Sequence, residues 1–89
     1  MQASVVRIEF HADARRDFDE AFDWYAARSI RAAADFVAEV GAVLQLALEK
    51  PQRFALIDRT NRDVLLKRFP YHVGYREHGD AVQVIPIAH

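Results

Sequence analysis

Phe69-Pro70-Tyr71-His72-Val73-Gly74-Tyr75-Arg76-Glu77-His78-Gly79-Asp80-Ala81-Val82-Gln83-Val84-Ile85-Pro86-Ile87-Ala88-His89 forms the last stretch of this 89-residue chain. Its reading decides the fold. Residues 71–77 alternate Tyr71, Val73 and Tyr75 against His72, Gly74 and Arg76, the period-two pattern of a strand with one face buried. His78-Gly79-Asp80 has the length and composition of a hairpin loop. Residues 81–88 carry Val82, Val84, Ile85 and Ile87, apolar at both parities, which marks an interior strand. Pro86 lacks a ladder donor, so a bulge or a locally unpaired position is expected there.

Working outward, residues 62–68 form a third β-rich segment around Val64-Leu65-Leu66. Residues 51–61 show no clean period and read as a loop anchored by Phe54, Leu56 and Ile57. Before them the period becomes helical. Ser29 is a good N-cap, and the stripe Ala33, Phe36, Val37, Val40, Leu44, Ala47, Leu48 runs to the stop at Pro51. Val43 and Leu46 widen this stripe beyond what one neighbour covers. It is either wedged between the other helix and the sheet or leaves an apolar strip for a partner. An earlier helix starts near Ala12 and ends near Arg28, with Ala14, Phe18, Ala21, Phe22 and Tyr25 inward and Asp17, Glu20 and Asp23 mostly outward. Trp24 lies off its main apolar line, as a packing residue between the helices or as an interface anchor. At the start, residues 5–10 alternate Val6, Ile8 and Phe10 against Arg7 and Glu9, a first strand.

The expected fold is therefore α+β, in the order β-α-α-β-β-β, with a helical hairpin packed on a small, mainly antiparallel sheet. Eighty-nine residues support one core, and residues 1–89 are expected to form a single domain. The absence of cysteine excludes a disulfide framework or a thiolate metal site. No apolar run reaches the roughly 20 residues that span a bilayer, so a cytoplasmic protein without membrane contact is expected. The net charge of −1 conceals an asymmetry. Residues 1–49 hold five Lys/Arg against nine Asp/Glu, and residues 50–89 hold seven against four, giving about −4 and +3. This contrast is either a solvated surface or a functional cationic face.

The chemistry-bearing residues exclude more than they assign. His11, His72, His78 and His89 lack zinc-site spacing, and Gly41, Gly74 and Gly79 are isolated, so no metal, cofactor or phosphate loop is expected. Ser4 and Ser29 are poor candidates for an activated nucleophile. What remains is a basic set, Arg53, Arg59, Arg62, Lys67, Arg68 and Arg76, interleaved with Tyr71, His72 and Tyr75. Such groups can neutralise phosphates, meet an acidic protein surface or stack on bases.

With this element order, Asp23-Trp24-Tyr25-Ala26, Ala33, Phe36, the helix-closing Pro51, Arg62, Phe69-Pro70-Tyr71, Tyr75-Arg76 and Ile85-Pro86-Ile87-Ala88-His89 make the chain resemble the ParE/RelE toxin superfamily of bacterial type II toxin–antitoxin systems. The likeness is greatest to the ParE, or plasmid-stabilisation, branch. The resemblance implies a toxin held in a hetero-oligomer by a cognate antitoxin, of a ribbon-helix-helix, ParD-like kind, whose tail wraps it. It implies DNA gyrase as the target in the ParE branch, or the ribosome with mRNA in the RelE branch, whose members are endoribonucleases. By that resemblance Trp24, Val43 and Leu46 are candidates for antitoxin binding. Arg59, Arg62, Lys67, Arg68, Arg76 and His89 are candidates for target binding. If the chain were RelE-like, Arg62, Lys67, Arg68, Tyr71 and Arg76 would be the catalytic candidates. Only two lysines, Lys50 and Lys67, are present, which sits poorly with a lysine-rich nuclease centre. A non-toxic interaction domain of the same fold is the third reading.

Overall fold

A computed structural model describes residues 7–87, so Val5, Val6, Ala88 and His89 lie outside the described residues. Strand β1 (Arg7–Phe10) leads into α1 (Ala12–Ala26), α2 (Ile30–Glu49), a 3₁₀ turn (Pro51–Arg53), β2 (Asn61–Leu65), β3 (His72–His78) and β4 (Ala81–Ile85). The sheet order is β1-β4-β3-β2. The β3–β4 and β2–β3 pairs are antiparallel, and β1 lies parallel to β4, with Ile8 opposite Val82. The mainly antiparallel sheet under a helical hairpin is as the sequence implies. So is the interior position of β4, whose Ala81, Val82 and Val84 are buried.

Local chemistry sets the helix ends. His11 caps α1 by accepting from the Asp13 amide through Nδ1 at 3.1 Å, and Ser29 caps α2 through Oγ at 3.1 Å from the Ala32 amide. Between the helices only Ala27, Arg28 and Ser29 remain, which enforces an antiparallel hairpin. Lys50 ends α2, and Pro51 opens the short 3₁₀ turn where the sequence pattern indicates only loop.

Other boundaries differ from expectation for identifiable reasons. Strand β2 runs Asn61–Leu65 instead of continuing to Arg68. His78 pairs with Ala81, leaving a two-residue turn in which Gly79 alone has a positive φ, 62°. Strand β4 ends at Ile85, so Pro86 follows the ladder and no bulge is needed. Leu56 and Ile57 do not anchor the loop: they are 50% and 53% exposed, and Phe54 alone of the three packs on the core. Val37 also turns outward.

The core has two parts. Phe36 on α2 is fully buried, with the rings of Phe18, Tyr25, Phe69 and Tyr71 centred 5.4, 5.2, 5.5 and 5.0 Å away. Ala47, Tyr75 and Val82 form the second part, with Phe54 and Val64 packed against it. On the sheet face opposite the helices, Gly74 leaves room for Ile87, whose side chain would collide with a Cβ there. Arg7, Glu9, His78 and Asp80 make an exposed ion network at one end of that face.

Truncating Phe36 removes the ring that all four neighbours share. Phe36→Ala is expected to destabilise the fold by about 3–5 kcal/mol, a large share of a small domain's stability. Urea denaturation followed by circular dichroism measures this; a midpoint within error of wild type would contradict the role assigned to the ring.

Candidate functional site: a groove between the second helix and the sheet edge

The antiparallel register sends Arg62 and Val64 toward the helices, opposite Tyr75 and Val73, while Asp63 and Leu65 face away. Because β2 is the last strand of the sheet, the space between it and α2 stays open. Val43 and Leu46 form one wall of this groove and Val64 the other, Phe54 lines it too, and Leu65 borders it at the rim. Its volume is about 550 Å³. Lys67 and Arg68, in the connection after β2, stand at one end with Glu39. Leu65 and Leu46 are 57% and 36% exposed, so the groove presents apolar surface to solvent.

Glu39 shapes the basic end. Its carboxylate accepts from the Lys67 amide and from Arg68 Nε at 3.4 Å, tying the connection to α2. Arg68 also approaches Asp35 at 3.7 Å. Among the described residues no carboxylate pairs with the Lys67 ammonium.

The remaining candidates are dispersed. Arg62 points to the helix side and donates to the Phe54 carbonyl at 2.6 Å and the Gln52 carbonyl at 3.4 Å, closing the 3₁₀ turn. Arg76 is on the opposite face, donating to Gln83 at 2.8 Å. Tyr71 packs on Phe36, and burial together with Asp17 pushes its hydroxyl up to about 12, so it keeps its proton at neutral pH. Arg59 is exposed in the turn organised by Asp58, whose carboxylate accepts from the amides of Thr60 and Asn61 and is thereby held below its usual range. His89 is outside the described residues. Arg62, Lys67, Arg68, Tyr71 and Arg76 therefore form no single cluster; only Lys67 and Arg68 share a groove.

Trp24 does not fill the space between the helices. It is 54% exposed, with the Arg28 guanidinium 3.5 Å from its ring centre and the edge of Tyr25 against it. With Ala21, Tyr25, Pro70 and Tyr71 it lines a separate, shallower depression. Sequence reasoning missed Glu39, Phe54, Val64 and Leu65. The signal for Leu65 was present: adjacent leucines in a strand must face opposite sides, so one of Leu65 and Leu66 had to be exposed.

The family model for the ParE toxin of type II toxin-antitoxin system, parDE, matches residues 8–89. The chain belongs to this family of toxins, and the family implies an antitoxin partner. Among solved structures, the chromosomal ParDE toxin–antitoxin system from P. aeruginosa shares the fold, with a TM-score of 0.72 and 18% identity over 91% of each chain. No curated protein matches. Among the described residues no helix is long and apolar enough to cross a membrane.

Two measurements check this geometry. Arg62→Ala leaves the Phe54 carbonyl without its donor and is expected to cost about 1–3 kcal/mol of stability, read by thermal denaturation; an unchanged midpoint would remove Arg62 from the scaffold. Because the folded state holds the Tyr71 proton more tightly than the unfolded chain, stability is fully present below pH 10. It declines as pH rises toward 12. Tyr71→Phe should flatten that decline in urea titrations, and an identical decline in the variant would refute the assignment.

Proposed function

We propose that this toxin acts on DNA gyrase, in the cytoplasm, and is neutralised by an antitoxin segment seated in the groove between α2 and β2. The observation that carries the reading is the meeting of Val43 and Leu46 with Lys67 and Arg68 in one groove. An occupant that buries the apolar walls also covers the two cations, so antitoxin and target compete for one surface. This gives neutralisation a steric basis without any conformational change in the toxin. Trp24, exposed beside Arg28, is a second anchor for the antitoxin.

The dispersal of Arg62, Tyr71 and Arg76 supports gyrase binding over mRNA cleavage. General acid–base work requires its groups within hydrogen-bond reach of one reacting centre. Here Arg62 and Arg76 are on opposite faces of the sheet, Arg62 is committed to main-chain carbonyls, and the Tyr71 hydroxyl is a poor base.

Purified toxin added to a gyrase supercoiling assay is expected to inhibit supercoiling, and Lys67→Glu with Arg68→Glu is expected to relieve that inhibition by at least tenfold in toxin concentration. Unimpeded supercoiling at large molar excess of toxin would defeat the gyrase reading. New mRNA ends on translating ribosomes would instead assign the ribosome as target.

A further inference from the structure

A second cleft, of about 230 Å³, opens between α1, residues 70–74 and the end of β4, and it shares no lining residue with the groove. Its floor is core: Ala14, Val40, Val73 and Val84 are each at most 6% exposed. Phe10 and Phe18, with ring centres 6.2 Å apart, line it as well. Open space against buried side chains leaves them short of dispersion contacts, and an apolar cavity of about 150 Å³ already holds benzene. Two polar groups line this cleft without partners among the described residues. The Asp17 carboxylate has no hydrogen bond or ion pair, whereas Asp13 and Asp19 on the same helix pair with Arg16 and Arg15. The Tyr71 hydroxyl makes no hydrogen bond, in contrast to that of Tyr75, which donates to the Pro51 carbonyl at 2.7 Å. The two groups are neighbours: after burial, it is the Asp17 charge that pushes the Tyr71 hydroxyl up. The remaining polar lining residue, His72, is held by Asp63 at 2.8 Å, and no arginine or lysine is among the described lining residues.

We propose that this cleft binds a small aromatic amine, with the ring on the apolar floor beside Phe10 and Phe18 and the ammonium on the Asp17 carboxylate and the Tyr71 hydroxyl oxygen. The polar pair selects the charge. An ionised carboxylate only accepts and the phenol oxygen can accept, so together they take two N–H groups of an ammonium, whereas an anion would meet a like charge. The walls select the ring. Phe10 and Phe18 offer aromatic edges and faces to a ring and attraction to a cation, and the volume exceeds what a benzene ring alone fills. The inference is independent of the groove and of what occupies it. An occupant also reaches the aromatic cluster, because the Tyr71 ring packs on Phe36 with centres 5.0 Å apart, so a ligand of the folded chain alone stabilises it.

The test titrates ¹⁵N-labelled toxin with phenethylammonium and follows the amide chemical shifts. Saturable shifts are expected at Ala14, Asp17, Tyr71 and Val73, and none at Val43 and Leu46. Phenethyl alcohol, the neutral counterpart, is expected to bind about tenfold more weakly, and the anion hydrocinnamate more weakly still. Asp17 is exposed, so Asp17→Asn leaves the core intact. It is expected to weaken the amine about tenfold and leave the alcohol unchanged, a difference that general loosening of the cleft would not produce. Absence of saturable shifts, or shifts centred on the groove, overturns the site. Equal affinity for amine and alcohol, or an amine affinity that Asp17→Asn does not change, overturns the assigned ligand class. Binding of n-butylammonium as tight as that of phenethylammonium makes the cleft a socket for a lysine side chain and likewise overturns the proposal. Should Asp17→Asn fail to fold, the comparison of these probes on the wild-type toxin still decides.

Discussion

The rings around Phe36 join parts of the molecule that share no ladder. Phe18 and Tyr25 come from α1, Phe36 from α2, and Phe69 and Tyr71 from the connection between β2 and β3. Aromatic pairs at these spacings contribute about 0.5–1.5 kcal/mol each beyond the area they bury, and here four of them share one ring. Their effect reaches past stability. Phe69 and Tyr71 flank Pro70 and directly follow Lys67 and Arg68, so packing on Phe36 holds the basic end of the groove at a set distance from α2. Glu39, three residues along the same helix, completes the restraint by binding the Lys67 amide.

This arrangement changes how charge and apolar surface relate. Along the chain, Val43 and Leu46 of α2 and the cations after β2 are separate resources, on opposite sides of the 3₁₀ turn and β2. In space they share a groove, and a partner that excludes water from its apolar walls also lowers the dielectric around Lys67. An opposite charge placed there gains more than it would on open surface. Arg68 behaves differently. Its contacts with Asp35 and Glu39 are exposed ion pairs worth little individually, so they can be exchanged for a partner's carboxylate at small cost.

The element order, the helix cap at Ser29 and the stop at Pro51, the interior position of β4 and the widened stripe of α2 were legible because each follows from local period or from a residue with one strong preference. The parts that were not legible depend on what lies across from a residue. Leu56 and Ile57 look like anchors by type, yet the segment pairs along an edge strand and leaves them half exposed. Trp24 looks like packing by size, but with Phe36 filling the seam it stays outside under Arg28. Arg62 reads as one more surface cation until the register turns it toward the carbonyls of the 3₁₀ turn. Glu39 gave no signal of its own, since a helical glutamate becomes a tether only when a distant main chain arrives beside it. The family features along residues 8–89 supplied what these local patterns could not: membership in a class with a known kind of partner.

The parallel pairing of β1 with β4 carries a consequence for biosynthesis. In the sheet Ile8 stands opposite Val82, so the first described strand finds its ladder partner only in the last. Contacts of such long sequence separation form late, after the local helical hairpin. Since β4 is also the strand against which β3 pairs, the central ladder of the sheet cannot close before β4 is made. A chain built this way completes its β1-β4-β3-β2 order only once β4, the last of its described strands, has been made and paired on both sides.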